Sequence, residues 1–364
     1  MKISRPIKIG ITQGDINGIG YEIILKTFID ASILELCTPV VYGSSKVIAY
    51  HKKVMELPPV NLSIIHNPQD AGRNKVNIIN CVDEEVKVEL SVPTEESGKF
   101  AFKALERAVR DLNSGLLDVL VTLPVSWQAM QHASIAFSSH TEYLETSSGQ
   151  GNKSLMTLVS DTLRIALVTT HIPLSEVAGL LSVELILEKL RSFNRSLKTD
   201  FGIRKPRIAL FSLNPDTGEG NISAGKEEQE SIIPAIEMAD KEGILCFGPY
   251  AADSFFGFGK YEQFDGVLAM YHDQGLVPFQ TLSMESGVHF TAGLPIVHTA
   301  PNHGVAYDIA GKNLASETSF RRALYLAIDV YRNREIDKEI NANPLRKQYF
   351  EKGNDNEKLD LTKE

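Results

Sequence analysis

Apolar residues along this chain fall into short uninterrupted runs more often than into an alternating pattern. Ile7–Thr12 and residues 39–42, 117–122, 164–169, 207–213 and 266–270 are rich in valine, isoleucine and leucine. Alternation marks a strand with one wet face, whereas runs of this kind mark strands covered on both faces, as in a parallel sheet. Between them, Phe102, Leu105, Val109 and Leu112 recur at spacings of three and four, the stripe of a helix that buries one side. Residues 175–198 and 318–332 carry further helical patterns. So does 227–241, where Pro234 should kink or interrupt the helix, because it has no amide hydrogen and crowds the preceding turn. Strands alternating with helices predict an α/β fold of mostly parallel sheets flanked by helices. Residues 351–364 are polar and charged and predict a frayed tail.

In open α/β sheets, ligands sit beyond the carboxyl ends of strands, so the loops that follow the apolar runs are where chemistry is expected. Three of them are rich in glycine: Gly14-Asp15-Ile16-Asn17-Gly18-Ile19-Gly20, Asn214-Pro215-Asp216-Thr217-Gly218-Glu219-Gly220, and Tyr271-His272-Asp273-Gln274-Gly275. The first precedes a helix starting near Tyr21 and can bring backbone N–H groups close to an anion or cofactor. Its glycines lack the spacing of the dinucleotide fingerprint, and a tight structural turn accounts for them equally well.

Composition narrows the partners. The chain has 364 residues, 43% of them hydrophobic, which predicts two domains or one bilobal unit. A formal net charge of -9 argues against a general nucleic-acid binder, which needs a basic face to release counterions. The short cluster Arg204-Lys205-Pro206-Arg207 reads as a solvated strand entry. No run approaches the length of a membrane helix, and the first residues lack the apolar core of a signal peptide, so no membrane association and a cytoplasmic location are expected. Three scattered cysteines, Cys37, Cys81 and Cys246, read as reduced thiols.

Histidines supply the candidate chemistry. His171 and His272 both follow strands, and acidic residues, Asp216 and Asp253, stand on other loops. Such a set can hold a divalent metal through nitrogen and oxygen, and the metal can polarise an alcohol or carbonyl oxygen. Each histidine can equally be a loop residue satisfied by a hydrogen bond. His289, His298 and His303 cluster late in the chain; they could bind an anion when protonated or a metal when neutral, or be unrelated. Sequence signatures of nucleophile elbows, P-loops, metalloprotease helices and redox cysteine pairs do not occur.

Taken as an ordered set, five loops resemble the 4-hydroxythreonine-4-phosphate dehydrogenase family of vitamin B6 biosynthesis. They are residues 14–22, Ser138-Ser139-His140-Thr141-Glu142, Asn214-Pro215, Gly248-Pro249-Tyr250-Ala251-Ala252-Asp253, and Met270-Tyr271-His272-Asp273-Gln274-Gly275. The resemblance runs from about Lys8 to about Tyr331. It implies a two-lobed fold like that of isocitrate and isopropylmalate dehydrogenases, with one lobe over 1–125 plus 300–364 and the other over 126–299. It also implies a homodimer whose site is shared, so that His140 and the 272–298 segment could come from different subunits. The activity implied is NAD-dependent, metal-assisted oxidation and decarboxylation of 4-phosphohydroxy-threonine on the route to pyridoxal phosphate. The metal could be zinc, magnesium, manganese or cobalt.

On this resemblance His171, Asp216 and His272 are the metal positions, with aspartate standing where the family has a third histidine. His171, His272 and Asp273 form the catalytic group. His140, Thr141, Gln280, His289 and His298 take the substrate positions. Gly14, Asp15, Gly18 and Gly20, with His303, Gly304 and Asp308 of an adenosine-type loop over 302–312, take the cofactor positions. The chain departs from the family pattern at Trp127 and Gln280, where the family has lysines, at His289, where it has asparagine, and at His298, where it has arginine. Losing two charged hydrogen bonds would cost about 3–6 kcal/mol of phosphate binding, which protonated His289 and His298 would partly offset. These departures leave two other readings open. One is a related dehydrogenase on a non-phosphorylated or different 2-amino/3-hydroxy acid; the other is a catalytically impaired paralogue acting as a binding protein.

Overall fold

The computed structural model describes residues 5–82, 86–137, 139–215 and 225–343. Twelve strands form one sheet: β1 (Ile7–Thr12), β2 (Cys37–Gly43), β3 (Leu62–Ile65), β4 (Val76–Asn80), β5 (Val119–Thr122), β6 (Leu155–Val159), β7 (Arg164–Leu167), β8 (Arg207–Phe211), β9 (Leu245–Tyr250), β10 (Gly266–Ala269), β11 (Val288–Ala292) and β12 (His298–Pro301). Their order is β3-β4-β2-β1-β5-β12-β11-β6-β7-β10-β8-β9. The apolar runs are β1, β2, β5, β7, β8 and β10, and apart from one half-buried residue near the start of β1 and the first residues of β7 and β8 they are buried along their length.

Pairing is parallel from β3 through β12 and again from β7 through β9. The two blocks are joined by β11 and β6, which pair antiparallel with each other and with their outer neighbours. Periodicity alone does not reveal this joint, because β6 and β12 are short and β11 carries His289 within an apolar stretch.

The helix predicted around Phe102–Leu112 spans Glu95–Asn113 and opens on a capping box between Thr94 and Ser97. Leu105, Val109 and Leu112 lie buried against β2 and β5, and Phe102 sits at the edge against Phe137 and Tyr143. The helix expected over 175–198 is two, Leu174–Leu180 and Val183–Thr199. The break falls at Ser182, whose hydroxyl accepts from the Leu185 amide and so starts the second helix. Over 227–241 a wider-wound turn, Glu228–Ile232, precedes the helix Ile233–Lys241. The change of winding falls just before Pro234, which has no N–H to close a bond to the preceding turn, so the expected interruption takes this form. The last helix, Thr318–Ala342, runs further than expected and packs on β5, β11 and β12, beneath the joint between the two blocks. The predicted frayed tail lies outside the described residues. The three cysteines are free, one buried and two half-buried.

Candidate functional site

β5 ends in Thr122 and β12 begins with His298 beside it. His298 is 3% exposed. Its Nε2 lies 2.9 Å from Thr122 Oγ1 and its Nδ1 2.8 Å from Thr291 Oγ1, so hydroxyls satisfy both ring nitrogens. Burial drives its pKa down to about 3. A buried imidazole with two hydroxyl partners and no carboxylate is neutral near pH 7.

His140 opens the helix His140–Ser148, where Ser139 Oγ accepts from the Glu142 amide as the cap. Its ring packs edge-on against Trp127, 5.5 Å between centroids, and lies 6.4 Å from His298. Nδ1 is 3.4 Å from Thr122 Oγ1, and Nε2 is buried with no hydrogen-bond partner among the described residues. Burial lowers its pKa to about 4. His289, on β11, is likewise pushed to about 4, chiefly by burial and against a hydrogen bond with Asn302 that acts the other way. Thr122 thus bridges His140 and His298 of the same chain.

These groups line a cavity of about 240 Å³ together with Trp127, Thr141 and His171. Among the described residues, no lysine, arginine, aspartate or glutamate contributes to its wall. His289 and His298, the groups that would partly offset the missing cations when protonated, are buried among neutral groups, and desolvation pushes the pKa of both down.

At the rim, His171 follows β7 and His272 follows the neighbouring strand β10. Their ring centroids are 5.4 Å apart. His171 also borders the cavity, and its pKa is lowered by burial and then by His272. His272 Nδ1 lies 2.8 Å from Asp273 Oδ1. A carboxylate only accepts, so Nδ1 carries the proton and Nε2 keeps its lone pair. Two imidazoles on one ion, with metal–nitrogen bonds of about 2.0–2.1 Å, have ring centres roughly 5 Å apart. The pair therefore fits a divalent metal, and Asp273 supplies the carboxylate that orients a ligating histidine. Among the described residues no group of three or more His, Cys, Asp or Glu side chains could hold a metal. Asp216, the expected third ligand, lies outside the described residues. The segment leading to it is pinned by the buried Glu228, whose carboxylate accepts from the amides of Leu213 and Asn214, each at 2.9 Å.

The glycine-rich loop is packed against the chain itself. Gly14 has φ +68°, and a Cβ at Gly14, Gly18 or Gly20 would run into the backbone of Pro124, Val305 or Gln13. Asp15 is buried, its pKa raised by desolvation, and it accepts from Tyr307 Oη (2.8 Å), Ser97 Oγ (3.0 Å) and the Asn17 amide (2.9 Å). The loop so anchored at Tyr307 leaves Gly304 and Asp308 exposed, with open space around the Gly304 Cα. The His303 Nε2 beside it is buried without a partner among the described residues. This open backbone with an unused ring nitrogen fits the edge of a polar cofactor.

His140, Thr141, His171, His289, His298, His303 and Gly304 thus border one cavity. Gln280 does not: it forms a reciprocal amide pair with Asn302, both bonds 3.0 Å. Asp253 sits exposed at the start of the helix Ala252–Gly257, bonded to the next amide. Thr122, Thr291 and Glu228 were not singled out from the sequence; the position of Thr122 at the end of a predicted strand was the available signal.

The family described as pyridoxal phosphate biosynthetic protein PdxA matches residues 35–327. The chain is 58% identical to a 4-hydroxythreonine-4-phosphate dehydrogenase of Bacteroides thetaiotaomicron over 98% of this chain and 97% of that one. It is 39% identical to one from Sulfurihydrogenibium over 90% of this chain and 100% of that one. Among solved structures, the 4-hydroxythreonine-4-phosphate dehydrogenase of Klebsiella pneumoniae superposes with a TM-score of 0.77 at 29% identity, covering 91% of this chain and 99% of that one.

Proposed function

From the premise that this chain belongs to the 4-hydroxythreonine-4-phosphate dehydrogenase family, we propose how its cavity carries out that family's reaction. The protein is a dehydrogenase of pyridoxal phosphate biosynthesis, and its substrate is 4-phosphohydroxy-threonine, which it oxidises and decarboxylates. The observation that carries the site assignment is the His171–His272 pair at the rim of a cavity otherwise walled by neutral groups. His171 and His272 hold a divalent metal, with Asp216 as third ligand. When bound, the metal supplies Lewis acidity to the reacting hydroxyl and NAD supplies the hydride acceptor.

The residues of the chain bind and orient. The unused Nε2 of His140 and the hydroxyl of Thr141 meet the polar end of the substrate, and the buried His298, fixed between two threonines, holds the floor beneath it. Asp273 keeps the His272 proton on Nδ1. Asp15, through Tyr307, holds the 302–312 loop in place for NAD, with His303, Gly304 and Asp308 on its open side. The lobes of this reading are 1–125 plus 300–364 and 126–299, and the protein works in the cytoplasm as a homodimer.

One observation favours a second reading. A cavity wall without a lysine or arginine suits a substrate whose far end is uncharged. The deciding experiment measures NAD reduction with added divalent metal, comparing 4-phosphohydroxy-threonine with its unphosphorylated form. Preference for the phosphorylated compound supports the first reading. Preference for the other transfers the assignment to a non-phosphorylated 2-amino/3-hydroxy acid, and silence on both, with metal and NAD bound, points to a different substrate or a catalytically impaired binding protein.

A further inference from the structure

Away from the substrate cavity, a cleft of about 290 Å³ opens where the β6–β7 turn, the start of β11 and the helix Thr318–Ala342 meet. Its charges are mostly committed. Asp161 pairs with Arg322 at 3.1 Å, and Asp200 pairs with Arg334 at 2.6 Å. Two remain. Arg164, at the first position of β7, lies over the ring of Phe201, 4.8 Å from its centroid. Its Nε is buried with no hydrogen-bond partner among the described residues, and the bond from Nη1 to the Asp265 carbonyl oxygen is long at 3.5 Å. Asp329, on the helix, has only Arg332 near it, at 3.9 Å.

A buried guanidinium donor left unmade costs about 1–3 kcal/mol, so a native protein that keeps one needs a reason. The contact with Phe201 holds the guanidinium against the cleft wall, and a guanidinium is the group whose forked donors grip a carboxylate. With an unmet donor on Arg164 and a carboxylate on Asp329 held only by a long 3.9 Å ion pair to Arg332, the cleft complements a molecule carrying both charges. Phe201, Val288 and Leu326 give it an apolar wall. We propose that this cleft is a second ligand site, separate from the substrate cavity, that binds a small apolar α-amino acid with its carboxylate on Arg164 and its ammonium towards Asp329. Val288, on its wall, immediately precedes His289 of the cavity, so the two sites share β11.

Calorimetric titration of the full-length protein with L-leucine, L-leucinamide and N-acetyl-L-leucine tests this. L-Leucine binds; leucinamide, which lacks the carboxylate, binds at least about tenfold more weakly. N-acetyl-L-leucine loses less, because Asp329 is solvated. Arg164→Met abolishes leucine binding, and Arg164→Lys, which keeps the charge without the fork, weakens it and serves where the first variant does not fold. NAD reduction by both variants stays at the unmodified level without leucine. Equal binding of leucine and leucinamide, undiminished binding to Arg164→Met, or no binding at millimolar leucine overturns the proposal.

Discussion

At one end of the cavity His140 and His298 sit among threonine hydroxyls and an indole, with no charged side chain in the wall. At the rim His171 and His272 face each other, and a carboxylate stands beside them. The residue type is the same; the surroundings give it opposite work. The inner pair is dried out and held neutral, so it shapes and hydrogen-bonds. In the outer pair Asp273 orients His272, and the metal proposed above would take the free ring nitrogens. Histidine acquires its role from what its two nitrogens meet.

The contrast breaks most sharply at His272. Replacing it by alanine leaves at most one imidazole and carboxylates, and metal binding is lost. Equilibrium dialysis with zinc or cobalt reads this, and an unchanged stoichiometry would sink the assignment of the outer pair.

Acid attacks the inner pair. The folded-state pKa values of His140 and His298, about 4 and about 3, lie below the unfolded value. The unfolded chain therefore binds more protons in this window. Stability is fully present above about pH 6.5 and declines as pH falls towards 4 and 3, by about 1.4 kcal/mol per pH unit for each histidine. Chemical denaturation at several pH values measures it, and a flat profile from pH 7 to 5 would mean that the inner ring nitrogens are wet.

Two conservative changes separate the ends. Asp273→Asn removes the carboxylate that orients His272 and lowers metal affinity about 10–100-fold, while the apo protein melts as before. Thr291→Val does the reverse. One nitrogen of His298 loses its partner, stability falls by about 1–3 kcal/mol, and metal affinity does not move. Effects of both changes on both readouts would erase the division.

Much of the scaffold was legible because parallel strands buried on both faces leave long apolar runs. β1, β2, β5, β7, β8 and β10 are such strands. β3 and β9, at the sheet edges and partly exposed, leave no such run. β6, β11 and β12 make the joint through pairings between remote segments, β11 with β6 and β12 with β5, which no local pattern announces. The candidate site was legible as a roll of histidines and loops, but its internal division was not. Gln280 was expected in the pocket and instead pairs with Asn302, a contact that its own helix does not foretell.

Local patterns and ordered motifs were enough to mark the fully buried strands, the main helices, the family and the residues available for chemistry. Tertiary packing alone set His298 dry between Thr122 and Thr291, brought the His171 and His272 rings to 5.4 Å, and left the Arg164 Nε without a partner among the described residues. Those outcomes depend on desolvation and on neighbours brought together from remote positions, and both are set by packing.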